Sequence, residues 1–325
     1  MIKKGRLMQK IAISIGDLNG IGIQLALENH EQIKTFIDPL YCIDETMLTQ
    51  ASERLGIPIP NDFQYVERVA KPFEIEPAQV SKASGVYSFA SFLKAVELSK
   101  TLEVDGIMTL PIHKKAWELA GVLYKGHTDA LRDLFFADAI MMLGVPQMYV
   151  ALYTEHLPLH QVAKTVTNVE KLSYFLIDFY QTIANQLQKG EKIALLGLNP
   201  HAGDEGVLGQ EEEQIRQART LAHRAIGKEI YSLPLVPDVA FTPNQRKKYR
   251  YFVAMYHDQG LAPLKALYFD ESINVSLNLP IQRTSVDHGT AFDIAYQGIT
   301  LNNQSYLNAL KYFTTSQQPD CVLEL

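Results

Sequence analysis

Short apolar runs alternate along this chain with longer segments that have the periodicity of helices. The runs that are apolar almost throughout are KIAISI (10–15), VDGIMTL (104–110), QMYVALY (147–153), KIALLG (192–197) and YFVAMY (251–256). Strands that are covered on both faces have this composition, because neither face meets water. Segments with helical patterning lie at 21–37, 84–100, 166–188 and 211–228. This alternation predicts an α/β fold with a mainly parallel sheet.

Composition excludes several classes of partner. The chain has 325 residues and a net charge of −6, and its Lys and Arg form no basic tract, so we expect no nucleic-acid partner. No apolar run reaches the length of a membrane span, and the run behind the charged start MIKKGRLMQK is too short for a signal peptide. Cys42 and Cys321 lie far apart in no CxxC pattern, which disfavours a disulfide or a thiolate metal site. We therefore expect a cytoplasmic protein that has no membrane partner.

Two glycine-rich segments follow predicted strands. GDLNGIGIQ (16–24) precedes a helix, but its pattern matches neither the dinucleotide fingerprint nor the P-loop, so a tight turn and an anion site both remain open. GLNPHAGDEGVLG (197–209) precedes the acidic helix start QEEEQ. Backbone N–H groups in such a loop suit a phosphate or a pyrophosphate, while the alternative is a long surface loop.

Three histidines come after apolar runs. His156, His201 and His257 follow the runs at 147–153, 192–197 and 251–256. Since the carboxyl ends of parallel strands gather at one edge of a sheet, these side chains can meet there. Three neutral imidazoles suit Zn²⁺, Co²⁺ or another borderline divalent ion and leave positions open for a substrate. The alternative is three unrelated structural histidines.

Further polar donors lie in predicted loops. GHTDAL (126–131) contains His127 and Thr128, both able to donate to a phosphate or a carboxylate, and Thr128 or Asp129 can cap the helix that follows. After His257 the chain continues as DQGLAPLK, which predicts a Gly/Pro bend before Lys265.

These segments resemble the PdxA family, the 4-hydroxythreonine-4-phosphate dehydrogenases of pyridoxal phosphate biosynthesis. The matching motifs, in the family's order, are GDLNGIG, TLPIHK, GHTD, TEHLPL, GLNPHAGDEG, MYHDQGLAPLK and RTSVDHGTAFDIA. They extend from residue 16 to about residue 295. Seven ordered motifs are far more specific than any one of them.

The resemblance implies a two-lobed α/β fold like that of isocitrate and isopropylmalate dehydrogenases, with mainly parallel sheets and a cleft between the lobes. On this chain the first lobe would take residues 1–130 and 280–325, and the second would take 131–279. The family resemblance further implies a homodimer whose active sites are shared between the subunits.

The resemblance also implies roles for individual residues. His156, His201 and His257 match the metal ligands. The residues that match substrate-binding positions are His127, Thr128, Lys265, Asn274 and Arg283. Asp238 matches an aspartate near the substrate and is our candidate catalytic group. Gly197, Asn199 and Gly203 of the glycine-rich loop are candidates for binding the nucleotide.

The activity implied is oxidation of 4-phosphohydroxy-L-threonine by NAD(P), with one divalent ion (Zn, Co, Mn or Mg) in each site. The product, 2-amino-3-oxo-4-phosphonooxybutanoate, would then lose CO₂ to give 3-amino-2-oxopropyl phosphate. The alternatives are a related dehydrogenase of another hydroxy acid, a metal-dependent phosphohydrolase or phosphotransferase, and a non-catalytic protein that binds a phosphorylated ligand.

Overall fold

A computed structural model of the chain describes residues 8–315. Within them the chain forms two compact units. The first unit holds residues 8–137, 273–275 and 279–315, and the second holds 138–272 and 276–278. Cys42 is a buried free thiol in the first unit, whereas Cys321 lies outside the described residues.

The strands are β1 Lys10–Ser14, β2 Asp38–Cys42, β3 Gly106–Thr109, β4 Ile140–Val145, β5 Met148–Leu152, β6 Ala194–Leu195, β7 Tyr251–Ala254, β8 Ile273–Leu277 and β9 Gln282–Val286. In the first unit they run in the order β2-β1-β3-β9, and every neighbouring pair is parallel. In the second unit the order is β4-β5-β7-β6, where β4 and β5 are antiparallel and the other pairs are parallel. The prediction of an α/β fold with mainly parallel strands is confirmed.

The helices are α1 Gly22–Ile33, α2 Glu45–Leu55, α3 Lys82–Lys100, α4 Lys114–Leu119, α5 His127–Phe135, α6 Leu159–Val166, α7 Val169–Ile183, α8 Glu211–Ile226, α9 Pro243–Arg246, α10 His257–Tyr268 and α11 Gln304–Thr315. Several begin at side chains that accept a backbone N–H, as at Asp44, Ser81 and Asn168. Such caps satisfy N–H groups that have no partner inside the helix. Among residues 8–315, no helix has the length and apolar character needed to cross a membrane.

The core of the first unit lies between the sheet and α3. Trp117 is fully buried there against Phe92, with the ring centroids 6.0 Å apart. The Trp117 Nε1–H donates to Ser88 Oγ at 2.9 Å, so its single polar group is satisfied inside the core. This aromatic cluster forms one wall of the environment of His127, described below.

The core of the second unit lies between the sheet and α10. Phe252, Ala254 and Leu264 are fully buried in it. The helix approaches the sheet at Gly260, where an added Cβ would lie 2.4 Å from Val150 Cγ1 and 2.9 Å from Ala254 Cβ. Only a residue with no side chain fits this contact, which fixes the distance between α10 and the strands β5 and β7.

Candidate active site

His156 and His257 come together in the second unit. His156 lies four residues beyond the end of β5, and His257 is the first residue of α10, three residues beyond β7. Because β5 and β7 are parallel neighbours in which Leu152 pairs with Ala254, the two chain segments leave the sheet at the same edge. The imidazole ring centroids are 6.0 Å apart.

This separation fits two imidazoles on one divalent ion. With a Zn–N bond of about 2.1 Å, each ring centroid would lie about 3 Å from the ion, so two rings on one ion are at most about 6 Å apart. The observed spacing is at the upper end of that range. A pair of imidazoles at this spacing is a donor set that fits a borderline divalent metal.

Asp258 fixes the tautomer of His257. The Nδ1 atom of His257 lies 2.7 Å from Asp258 Oδ1, and the carboxylate can only accept, so Nδ1 of the neutral ring carries the proton. The lone pair is then on Nε2, where a metal can bind. Histidine ligands in metal sites commonly have such a carboxylate partner on the other ring nitrogen. The sequence motif contained Asp258, but its adjacency to His257 alone did not reveal this role.

His201 lies on an unusual turn that follows β6. The 3-10 segment Pro200–Gly206 contains five consecutive residues in the left-handed region, from His201 (φ 52°) to Glu205 (φ 54°), and only Gly203 among them is a glycine. Left-handed backbone costs about 1–2 kcal/mol for each non-glycine residue, so the surrounding contacts must hold this turn in place.

The structure of the single chain brings two of the three histidines together. Within residues 8–315, the ligand atoms of His156, His201 and His257 do not all lie within 4.8 Å of one another. The group of His, Asp and Glu side chains that meets this distance lies in the first unit and consists of His30, Glu31 and Asp62.

That second group is an ion-pair network. Lys34 Nζ lies 2.9 Å from Glu31 and 2.8 Å from Asp62, so both carboxylates already have a cationic partner. His30 is 1% exposed, and its Nδ1 bonds to the hydroxyl of Tyr41 at 3.0 Å. Burial lowers the pKa of His30, and the neighbouring Asp62 opposes that shift. These contacts fasten α1 to the sheet and give the group a structural explanation.

The nucleotide candidates contact residues of the helices α8 and α10. The side-chain amide of Asn199 donates to Glu211 Oε2 at 2.8 Å and to Glu212 Oε2 at 2.9 Å. The carbonyl of Gly197 accepts from Gln259 at 2.7 Å. An added Cβ at Gly203 would lie 2.6 Å from Glu212 Oε2. These contacts therefore stabilise the conformation of the loop.

Arg283 is a buried cation in the first unit. It lies on β9, is 2% exposed, and donates from Nη2 to Thr109 Oγ1 at 2.6 Å. Asn274 Oδ1 accepts from Nη1 at the long distance of 3.5 Å. Burial lowers the pKa of Arg283 to about 9, so the guanidinium is still charged at neutral pH. A charge that is removed from water in this way attracts an anionic group.

His127 lies beside this cation, and its position corrects one expectation from the sequence. It is the first residue of α5, whereas the sequence predicted a loop with Thr128 or Asp129 as the cap. The prediction of the cap is wrong, because Gly126 occupies that position and the Asp129 carboxylate accepts from Lys125 N at 3.0 Å.

The ring of His127 packs between Phe92 and Trp117, and its buried Nε2 has no hydrogen-bond partner among residues 8–315. Burial lowers the pKa of His127 well below its usual value, and the charge of Arg283 lowers it further. The ring is therefore neutral and can donate a hydrogen bond or accept one. Thr128 follows it in the first turn of α5 and is 6% exposed.

Lys265 lies on the same helix as His257, which corrects a second expectation. The predicted Gly/Pro bend is wrong, since Gly260 and Pro263 both lie inside α10. Gly260 is needed for contact with Val150 and does not reverse the chain. Eight residues of helix separate the two side chains by about 12 Å along the axis. Lys265 belongs to the second unit.

Two polar residues of the first unit were missed in the sequence. Thr109, fully buried at the end of β3, accepts the bond from Arg283. Asp17, fully buried in the GDLNGIG turn, accepts from Asn19 N at 3.0 Å and from Ser84 Oγ at 3.2 Å, and burial raises its pKa to about 6. A polar residue inside an otherwise apolar run was the available signal for Thr109.

Asp238, the candidate catalytic group, lies exposed on a turn of the second unit.

Comparison with known proteins identifies similar chains over most of this length. The sequence model of the family described as "Pyridoxal phosphate biosynthetic protein PdxA" matches residues 35–313. A 4-hydroxythreonine-4-phosphate dehydrogenase of Sulfurimonas denitrificans is 54% identical over 302 residues, which cover 93% of this chain and 96% of that protein. One from Helicobacter pylori (strain P12) is 45% identical, with coverages of 94% and 98%.

Solved structures resemble the fold over a similar length. A crystal structure of 4-hydroxythreonine-4-phosphate dehydrogenase from Klebsiella pneumoniae matches with a TM-score of 0.82 at 29% identity and covers 95% of this chain and 100% of that one. One from Burkholderia phymatum matches with a TM-score of 0.78 at 30% identity, with coverages of 95% and 98%.

Proposed function

Because this chain belongs to the PdxA family of pyridoxal phosphate biosynthetic proteins, we propose that it oxidises 4-phosphohydroxy-L-threonine with NAD(P) and a divalent metal ion. The observation that carries the proposal is the histidine pair His156 and His257, in which Asp258 leaves the Nε2 atom of His257 available to a metal. His201 is proposed as the third ligand on the basis of the family match.

The proposed chemistry divides between bound groups and the chain's own residues. A divalent ion held by His156, His257 and, as proposed, His201 would supply Lewis acidity toward the substrate's hydroxyl, and a bound nicotinamide would supply the acceptor for the hydride on the carbon that bears this hydroxyl. The hydroxyl's proton leaves to a base, and Asp238, with its exposed carboxylate, is proposed to accept it. The resulting 3-oxo acid loses CO₂ to give 3-amino-2-oxopropyl phosphate.

Arg283 and Asn274 are proposed to recognise the phosphate of the substrate. A guanidinium is planar and can donate two parallel hydrogen bonds to phosphate oxygens, and here it is already oriented by Thr109. His127 and Thr128 add neutral donors, and Lys265 is proposed as a second cation for the substrate. Gly197, Asn199 and Gly203 are proposed to set the shape of a loop at the nucleotide site.

One assay tests this activity. Purified protein with NAD, Co²⁺ and 4-phosphohydroxy-L-threonine should produce NADH and release CO₂, and a chelator should stop both. The matched control is 4-hydroxy-L-threonine, which lacks the phosphate and should react far more slowly. Release of inorganic phosphate without NADH would contradict the proposal and indicate a hydrolase. Equal rates with and without the phosphate would indicate another hydroxy-acid substrate.

We also propose that the chain forms a homodimer with shared active sites, as the family resemblance implies. Light scattering during size-exclusion chromatography measures the mass of the assembly. A mixture of the inactive variants His257→Ala and Arg283→Ala, unfolded and refolded together, should regain part of the activity if each site takes residues from both subunits. No recovery in a verified mixed dimer would contradict shared sites.

A further inference from the structure

The buried carboxylate of Glu212 stabilises the turn that carries His201. Glu212, in the first turn of α8, is only 2% exposed. Its Oε1 accepts from the backbone N–H of Leu198 at 2.8 Å and of Asn199 at 2.7 Å, and its Oε2 accepts from the side-chain amide of Asn199 at 2.9 Å. A buried carboxylate with three donors is fixed in place.

The same carboxylate lies close to the left-handed part of the turn. An added Cβ at Gly203 would lie 2.6 Å from Glu212 Oε2, and one at Gly197 would lie 3.3 Å from Oε1. The two glycines therefore let the backbone close around the carboxylate on both sides of His201. Hydrogen bonds from Ala202 N to Asn199 O (3.0 Å) and from Leu208 N to Gly203 O (3.0 Å) complete the turn.

From this geometry we infer that Glu212, together with Asn199, is a positioning residue that holds His201 in the orientation required for metal binding. The inference rests on the proposed function, because it takes His201 to be a metal ligand. Glu212 acts on the backbone that precedes and follows His201. The five left-handed residues do not keep this conformation by intrinsic preference, so the buried carboxylate supplies the constraint.

Metal binding by the full chain tests the inference without substrate or nucleotide. We expect Glu212→Gln to weaken Co²⁺ binding, measured by calorimetry, by about 10- to 100-fold, the usual effect of losing a residue that orients a ligand. An amide in place of the carboxylate presents an N–H group to donors, so at least one of the three bonds is lost. The visible absorption spectrum of bound Co²⁺ should change toward that of His201→Ala, as the third ligand is lost.

The matched control is Glu213→Gln, the same change on the next residue of α8, where the side chain is 60% exposed. It should bind Co²⁺ like the unmodified chain. If Glu212→Gln does not fold, Asn199→Ala removes only the side-chain amide and should weaken binding severalfold.

A double-mutant comparison separates an effect of Glu212 that acts through His201 from a general loss of structure. If Glu212 acts through His201, then Glu212→Gln has no further effect on Co²⁺ affinity in the His201→Ala background. An equal loss in both backgrounds would overturn the inference, as would unchanged affinity in Glu212→Gln while His201→Ala binds weakly. If His201→Ala itself binds Co²⁺ normally, the ligand assignment in the proposed function fails, and the positioning role fails with it.

Discussion

Replacing Thr109 by Val tests whether the buried guanidinium of Arg283 depends on the hydroxyl that it contacts. Valine has nearly the shape of threonine, so the change removes the acceptor of the 2.6 Å bond and leaves little cavity. A hydrogen bond to a charged group contributes about 1.5–3 kcal/mol, and a buried donor left unsatisfied costs about 1–3 kcal/mol. Because the bond joins two residues of the folded chain, most of its loss should appear in stability.

We therefore expect Thr109→Val to lower the free energy of unfolding by about 1–3 kcal/mol, measured by denaturant titration. The guanidinium, no longer fixed, should also bind the substrate's phosphate less well, raising KM severalfold while kcat stays near its original value. Thr109→Ser keeps the hydroxyl and is the control; it should retain most of the stability and the KM.

Two results would refute this reasoning. An unfolding free energy that is unchanged within about 0.5 kcal/mol would mean that the bond contributes nothing, since effects of that size are usual for neutral surface changes. A fall in kcat with an unchanged KM would place Arg283 in the chemical step and not in binding.

Four further perturbations have expected outcomes. Asp17 has a pKa raised from 3.8 to about 6, so the folded state binds the extra proton and stability falls as pH rises between these values. That fall, about 3 kcal/mol, should be absent in Asp17→Asn when unfolding is followed against pH. Gly260→Ala should cost about 1–3 kcal/mol of stability through overpacking, whereas Gly289→Ala, with nothing within 4 Å, should be neutral. His257→Ala should abolish metal-dependent NADH formation with an unchanged circular dichroism spectrum, and normal activity in this variant would contradict its role as a ligand. Lys265→Ala should mainly raise KM, and an unchanged KM would contradict its role in binding the substrate.

Five apolar strands were predicted from the sequence, whereas the apolar strand β4 and the polar strand β9 were not. The runs that became β1, β3, β5, β6 and β7 are apolar because both of their faces are covered. β9, with the sequence QRTSV, is buried at every position although most of its residues are polar. Ser285 Oγ donates to Thr109 O, and Thr284 Oγ1 donates to Ala309 O. The periodicity of a sequence indicates where hydrophobic residues recur. It does not indicate hydrogen bonds to residues more than twenty positions away.

The ordered motifs were sufficient to predict the family, and that prediction is confirmed, but the local geometry of the site was not predictable in the same way. The Gly/Pro content before Lys265 suggested a bend, yet tertiary packing on Val150 requires the glycine within a helix. Likewise no propensity rule predicts left-handed backbone at His201 or Ala202. Contacts with the rest of the fold override local preference at both places.

Three features of the structure that cost stability bear on function. These features are the buried cation Arg283, the Nε2 of His127, which has no partner in the described part of the chain, and the left-handed turn at His201. Each costs stability that ordinary packing would avoid. Such features persist where a ligand interacts with them, because an anion or a metal offsets the cost when it binds. Substrate and metal should therefore raise the melting temperature of this chain by more than they raise that of Arg283→Met, which carries no buried charge. Equal increases in the two proteins would show that Arg283 has no part in binding.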